Sequence, residues 1–429
     1  MQKFLIIVLT FICLYSVHIK GLPFALNVLV GVVGGGKLFY DRVITCSRDS
    51  IFKIPRSLVC ILLASFLIII VSGVSILFNY TQDAYFIKLV IINFSKLFAI
   101  YLLAKLIESV YGCVTFSLVV KYVVIAAVIQ MVLSVMMYLN PTFYELTTNL
   151  LQYTELASDK MNELVGTRIL GFSTMFFESG IIHGFVLILI VAALQFGEYS
   201  GKQYLAYIFS FILIFVGGMM LARTTLIGFG LALLLVLYNN RIFRLRITSK
   251  MCKSIGALVC IVLCSAILIY SLSEEVRVKM GLMVDFAFEM FKNYFNSGSI
   301  ETKSTNKMLT MYVFPHSFKT WLIGDGLWSV SDGYGYYMST DIGYCRMLFY
   351  FGLLGTFMFF LYQYVIIWAV SKKNMNVGRI VFVLLYLYCL ILNLKGAADL
   401  FGIVTLFYFS KNSNDVKIGA QKRKGLSIS

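Results

Sequence analysis

The chain contains few charged residues, prolines and histidines. Only 13% of its 429 residues are charged, and the whole sequence holds four prolines and three histidines. So little charge, beside 60% hydrophobic residues, excludes a soluble globular protein. The scarcity of histidine and proline leaves little material for zinc clusters or disordered linkers. No two of the nine cysteines are placed to form an outward-facing disulfide, so cysteine chemistry is not the expected function.

Long apolar runs recur along the entire sequence. A helix needs about 20 mostly apolar residues to cross the hydrocarbon core of a bilayer. The pattern therefore predicts an all-α polytopic membrane protein in which residues 1–429 form a single integral membrane domain. We expect about twelve transmembrane helices, near residues 4–19, 22–39, 57–78, 86–107, 116–139, 172–195, 203–221, 223–238, 254–272, 343–370, 378–394 and 397–410.

The net charge of +16 is explained by where the basic residues lie. Lys and Arg are concentrated in the connections that alternate to one side and in the tail, 411–429, whereas the connections on the other side carry slightly more acids than bases. Basic loops remain in the cytoplasm, so we expect both termini to be cytoplasmic. The run Lys422-Arg423-Lys424 is expected to meet anionic membrane lipids, and no nucleic acid is expected as a partner.

Two connections are long, residues 140–171 and 273–342, and the helix count places both on the outer face. The second is predicted to begin with an amphipathic helix in the interface, because polar and apolar residues recur there at helical spacing. It then becomes rich in glycine and aromatic residues such as Trp328 and Tyr336. These rings suit either sugar stacking or an interfacial aromatic belt. The inner loops are short, which excludes a cytoplasmic nucleotide-binding domain and hence a primary pump.

Four charged residues lie at or inside the outer membrane boundary: Arg168, Glu178, Arg223 and Arg346. An arginine at a helix centre is disfavoured by about 2.5 to 3.5 kcal/mol, so intramembrane charges usually face a cavity and serve a site. Snorkelling to lipid headgroups is the structural alternative for each arginine. Because three arginines occur on an otherwise acidic outer face, we favour an anionic ligand. A guanidinium matches phosphate oxygens in bidentate fashion.

Four short motifs follow one another along the chain. They are Arg168-Ile169-Leu170-Gly171-Phe172 with Phe177-Glu178-Ser179, then Ala222-Arg223-Thr224, then Leu322-Ile323-Gly324-Asp325-Gly326, and finally Asp341-Ile342-Gly343-Tyr344 through Arg346 to Tyr350-Phe351-Gly352-Leu353-Leu354-Gly355. In this order they resemble the motifs of the Wzy-type O-antigen polymerases and of the superfamily that also contains the O-antigen ligases. The resemblance covers the whole topology. Ser179 and Ala222 depart from the usual Pro and Ser.

The resemblance implies a metal-independent membrane glycosyltransferase of the bacterial inner membrane, without a cofactor and with its active site facing the periplasm. Its substrate would be an undecaprenyl-diphosphate-linked oligosaccharide, with a chain-length-regulating co-polymerase as a possible partner. Preorganised cations would stabilise the leaving diphosphate. We assign that role to Arg168, Arg223 and Arg346, with Arg277 as a weaker candidate. Asp341, Glu178 and His316 are the candidates for the catalytic base, and Asp341 is favoured because it lies near Arg346.

Two alternatives remain open at this stage. An O-antigen ligase would use the same cationic site but transfer the chain to the lipid A core. A flippase or exporter of the same lipid-linked unit would instead carry charges along the interior of the helix bundle. Lys96 and His183, both near the middle of predicted helices, keep that second alternative open.

Overall fold

The computed structural model describes residues 1–41, 55–153, 159, 169–174, 176–197, 199–239, 274–299, 301–330 and 335–411. Three predicted features lie outside these ranges: the helix over 254–272, Arg168, and the basic tail beyond Lys411. The described residues are mostly helical. Over these ranges the chain has no β-strand.

Fifteen α-helices are assigned within the described ranges. They are α1 Gln2–Tyr15, α2 Leu26–Phe39, α3 Arg56–Asn79, α4 Tyr85–Tyr111, α5 Phe116–Leu139, α6 Pro141–Leu150, α7 Phe176–Phe196, α8 Gly201–Leu221, α9 Thr225–Asn239, α10 Glu274–Ser297, α11 Lys303–Leu309, α12 Phe318–Ile323, α13 Gly343–Lys373, α14 Arg379–Leu392 and α15 Phe401–Val404. Six of them, α3, α4, α5, α7, α8 and α13, are long and apolar enough to cross a membrane. This content is compatible with a polytopic membrane protein.

The last predicted helix, over 397–410, is wrong as a continuous element. Only Phe401–Val404 is α-helical, and a 3₁₀ turn follows over Thr405–Phe407. Side chains before this segment bond to the backbone instead: the Asn393 amide exchanges hydrogen bonds with the N–H and carbonyl of Ala398, and Asp399 Oδ1 accepts from the N–H of Phe401. Short polar side chains that satisfy the backbone in this way compete with helix formation.

Helix α13 contains a break near its first third. Phe351 has φ −138° and ψ 18°, and Gly352 has φ 68° and ψ −168°, so the chain leaves the helical conformation for two residues. A left-handed φ is accessible to glycine at little cost, which explains its presence at this position. The predicted span over 343–370 is therefore two helical segments joined at a fixed kink.

A helix, α10, occurs where the sequence predicts an amphipathic one. Ala287 is fully buried and packs in a cluster with Met219 and Leu221 at the end of α8, with Phe288 partly buried against it. Phe291 and Tyr294, further along the helix, are 38% and 55% exposed. Among the α10 side chains that the structure describes, the buried one, Ala287, lies in the middle of the helix.

The contacts divide the chain into two compact units. The first comprises residues 1–123 and 307–429, and the second comprises residues 124–306. In the first, α2 packs on α4, and α13 packs on α3 and α12. In the second, α7 is buried between α8 and α9, and a Cβ added at Gly228 would overlap the backbone of Gly184. Small residues allow such close approach of helices in membrane proteins. The prediction of a single integral domain stays a prediction.

Candidate functional site

Arg223 lies in the second unit, at the break between α8 and α9. Ala222 is extended, with φ −156° and ψ 127°, and separates the two helices. The Arg223 guanidinium contacts α10. Its Nε donates to the backbone carbonyl of Phe286 at 3.1 Å, and its central carbon lies 4.5 Å from the centroid of the Phe286 ring. Nη2 forms an ion pair with Glu289, and Nη1 donates to the hydroxyl of Ser304 at 3.2 Å. Arg223 is therefore held by the long connection.

The first two resemblance motifs meet in this unit. Gly171 approaches the first turn of α7 so closely that a Cβ on it would lie 2.5 Å from Ser179 Oγ. Ser179 Oγ is hydrogen-bonded to Thr174 Oγ1, and this bond closes the loop before α7. On the next turn, a Cβ on Gly180 would overlap Thr224 and Ala222. The loop, the start of α7 and the α8–α9 break thus pack together through buried residues.

The other predicted residues of this unit lie nearby in sequence but differ in setting. Glu178 is exposed in the first turn of α7, two residues before the Gly180 contact. Arg277 is exposed near the start of α10. Arg168, the remaining predicted arginine, falls outside the part of the chain that the structure describes. The turn of α7 that carries Glu178 therefore packs, through Gly180, against the break that carries Arg223.

Arg346 lies in the first unit, in the first turn of α13, and is only 8% exposed. Its guanidinium carbon is 3.7 Å from the centroid of Trp328 and 4.2 Å from that of Tyr336, so two rings enclose the cation. Nη2 donates to the carbonyl of Trp328 at 3.1 Å. The segments that carry these two rings are joined by an antiparallel bridge between Ser329 and Tyr336. A desolvated cation–π contact of this kind stabilises the folded protein by about 2 kcal/mol.

Trp328 is a core residue, which weighs against both roles proposed for it from sequence. It is 3% exposed, stacks on Tyr85 at 4.4 Å and meets Phe86 edge to face. Asp83 holds the backbone, since its Oδ2 accepts from the N–H groups of Trp328 and Ser329 at 2.7 and 3.1 Å. The ring faces are therefore occupied by protein.

The third and fourth resemblance motifs also meet, at the break in α13. The carbonyls of Phe349 and Tyr350 accept the N–H groups of Asp325 and Gly326, at 2.6 and 3.0 Å. Gly324 has φ 81°, and a Cβ there would lie 2.5 Å from the Phe351 nitrogen. The kink exposes carbonyl groups that a regular helix would use internally, and the glycine-rich loop satisfies them.

Asp341 lies beside Arg346, as predicted from sequence, with Oδ1 4.0 Å from Nη1 and 44% of its side chain exposed. His316 is exposed just before α12. Asp325 was not predicted as a site residue; it accepts from the hydroxyls of Thr320 and Tyr337. Burial and the neighbouring Asp325 raise the pKa of the Tyr337 hydroxyl. This hydroxyl therefore stays protonated at neutral pH.

A polar network inside the first unit was also missed. Asp399 Oδ2 accepts from the Asn93 amide at 2.7 Å, and Oδ1 accepts from the Gln363 amide at 2.6 Å. Asn93 also reaches the Tyr362 hydroxyl at 3.2 Å. Lys96 is one turn from Asn93 on α4. The sequence signal for this network is the carboxylate of Asp399, which lies inside the apolar run that predicts the last helix.

The pairing of Glu289 with Arg223 was not predicted from the sequence. Over the described ranges, no group of three or more His, Cys, Asp or Glu side chains is placed to hold a metal ion. No known protein family, curated protein or solved structure matches the chain.

Proposed function

We propose that this protein polymerises undecaprenyl-diphosphate-linked O-antigen repeat units at the periplasmic face of the bacterial inner membrane. The proposal rests on the family resemblance and on one structural observation. The four motifs that carry the resemblance are far apart in sequence, yet they pack in pairs. The Gly171–Ser179 motif packs against the Arg223 break, and the Gly324 motif packs against the Gly352 kink. Within each compact unit, two motifs that are far apart in sequence are thus brought together, which supports a shared role for the two members of each pair.

Arg223 is the residue best placed to bind a diphosphate. It lies where two apolar helices end, and its side chain is 13% exposed. Its partner Glu289, 26% exposed, neutralises it in the absence of a ligand. A diphosphate would compete with this carboxylate for the same guanidinium edge, since both anions accept bidentate hydrogen bonds. In our proposal the ion pair keeps the arginine oriented until the substrate arrives.

In our proposal, Asp341 is the base that accepts the proton of the acceptor hydroxyl. It is more exposed than Arg346 and lies at the limit of ion-pair distance from it. Arg346 would hold the Trp328 segment in place beside this carboxylate. Because Arg346 is enclosed by two rings, its direct contact with a diphosphate is limited to the edge that faces Asp341.

The test is the lipopolysaccharide ladder of a deletion strain. The strain is complemented with wild type, Arg223→Ala, Asp341→Asn and, as a matched control, Lys292→Ala, which removes an exposed cation from α10. We expect the deletion to leave core with a single repeat, the first two variants to restore little or no ladder, and the control to restore it fully. Protein levels are matched by immunoblot.

Other outcomes distinguish the alternatives. Core without any repeat in the deletion strain would indicate a ligase or a flippase. Unligated polymer on the lipid carrier would then identify the ligase, because polymerisation would have continued. Full ladders from both Arg223→Ala and Asp341→Asn would show that neither residue has the role proposed for it.

A flippase is the second candidate function, and the Asp399 network favours it. A carboxylate held by the amides of Asn93 and Gln363, next to non-helical backbone, resembles in chemistry the sites that transporters build at broken helices. Irregular backbone at membrane depth is tolerated where it is buried or lines a cavity. The deletion phenotype separates the two functions directly.

A further inference from the structure

A cavity of about 560 Å³ lies in the first unit, where the ends of α4 and α13 and the start of α3 come together. Four lysines line it, Lys105, Lys372, Lys373 and Lys411, together with one carboxylate, Glu108. Its volume is in the range of small-ligand sites. The described lining is therefore strongly cationic, and a site of this composition selects anions.

The two pairs of lysines differ in how they are held. Glu108 accepts from Lys105 and from Lys411, each at 2.9 Å, so one carboxylate fixes two of the cations. Lys372 and Lys373 form no ion pair within the described part of the chain; each ammonium lies 5.9 Å from an aromatic ring, that of Trp368 or Tyr408. These two lysines therefore supply positive charge that the described protein does not neutralise.

Hydrogen bonds between the segments preorganise the cavity wall. Asn374 follows α13, is 1% exposed, and donates to the carbonyls of Val370 and Phe407. The hydroxyl of Ser410 donates to Asn374 Oδ1, and the N–H of Lys411 donates to the carbonyl of Val114 at 2.7 Å. These bonds connect the end of α13, which carries Lys372 and Lys373, to the segment that carries Lys411. Snorkelling lysines on separate helices would need no such connections.

We propose that this cavity binds a phosphate-bearing anionic headgroup. The aromatic side chains Tyr101, Tyr408 and Phe409 line the same cavity, which suits a ligand at the boundary between water and lipid. Basic pockets between transmembrane helices are a recognised way to bind anionic lipid headgroups. The segments 108–115 and 371–379 are those that the charge pattern assigns to the cytoplasmic side. The site is therefore separate from the outward-facing chemistry proposed above.

The test uses the full-length protein in a neutral detergent, titrated with cardiolipin, phosphatidylglycerol, phosphatidylcholine or inorganic pyrophosphate. Binding is followed by native mass spectrometry and by the rise in the thermal unfolding midpoint. The variant Lys372→Gln/Lys373→Gln removes the two cations without an ion pair. Lys372→Arg/Lys373→Arg retains both charges, and Lys202→Gln removes an exposed lysine in the first turn of α8, outside the cavity.

We expect wild type, the double arginine variant and Lys202→Gln to bind the anionic lipids with equal affinity. The double glutamine variant should bind about tenfold more weakly, because each lost cation removes about 1 kcal/mol or less of binding free energy. Lysine-dependent binding of pyrophosphate as tight as that of lipid would also support the anion site and identify a soluble ligand. Equal lipid binding by the double glutamine variant, or equal binding of phosphatidylcholine, would overturn the proposal.

Discussion

The guanidinium carbon of Arg346 lies over the ring of Trp328, 3.7 Å from its centroid, and Nη2 donates a hydrogen bond to the carbonyl of the same residue. The arginine thus binds both the side chain and the backbone of one partner. Trp328 is in turn held by Asp83 and Tyr85 from the start of α4. Trp328 therefore connects the first turn of α13, through the buried Arg346, to the start of α4.

Replacing Arg346 should show how much of this junction depends on the planar guanidinium. Arg346→Ala should lower the free energy of unfolding by about 2 kcal/mol, because the cation–π contacts and a hydrogen bond are lost together. Arg346→Lys should recover less than half, since an ammonium can neither stack nor bond in the same geometry. Thermal unfolding in a fixed detergent gives both values.

Arg379→Ala, an exposed arginine at the start of α14, is the matched control and should leave the midpoint unchanged. An Arg346→Ala protein as stable as wild type would show that the aromatic enclosure is not a stabilising contact.

Gly352 should tolerate no side chain. Its φ of 68° is unfavourable for other residues, and an added Cβ would lie 2.6 Å from the nitrogen of Ile323. Gly352→Ala should therefore destabilise the protein by about 2 kcal/mol or more, and should separate the Gly324 loop from the kink. The midpoint of thermal unfolding and the ladder assay should both fall.

Gly73→Ala is the comparison for this prediction, because Gly73 lies inside α3 with nothing within 4 Å of an added Cβ. It should be neutral or slightly stabilising, by up to about 1 kcal/mol. If the two alanine variants behaved alike, the kink would be an adjustable bend rather than a fixed contact.

The sequence was sufficient to predict elements whose signal is local. The apolar runs predicted all six long apolar helices within a few residues, and the period of polar residues predicted α10. The helix over 397–410 was predicted wrongly, because apolar content does not show that Asn393 and Asp399 bond to the backbone. Side-chain competition of this kind depends on three-dimensional partners and has no periodic signature.

The same contrast applies to the candidate site. Asp341 could be placed beside Arg346 because five positions on a chain entering a helix cannot separate far. The pairing of Arg223 with Glu289 spans 66 residues, and any of several acids in the long connection could have been the partner. The packing of Gly324 on the Gly352 kink likewise requires a bend in α13 that its apolar sequence does not reveal.

The Arg223–Glu289 pair should show measurable energetic coupling. Its side chains are 13% and 26% exposed, so water screens the pair only in part. A double-mutant cycle with Arg223→Ala and Glu289→Ala should give a coupling free energy of about 1 to 2 kcal/mol. The cycle is measured by unfolding at one detergent concentration and one ionic strength.

The pair Lys292–Asp285 on the same helix provides the internal reference. Both side chains are more than half exposed, and such pairs couple weakly, by about 0.5 kcal/mol or less. Equal coupling in the two cycles would contradict a protected environment for Arg223.

Asp399 offers the sharpest comparison between a structural network and a transport site. Asp399→Ala removes the acceptor for the amides of Asn93 and Gln363 and for the N–H of Phe401, so it should cost about 3 kcal/mol. Asp399→Asn keeps one oxygen and the same shape, and should cost less. If the network only supports the fold, Asp399→Asn at wild-type level restores the full ladder in the deletion strain. If the carboxylate serves transport, the same well-folded variant leaves core without any repeat, because losing the charge stops the lipid-linked unit from reaching the periplasm.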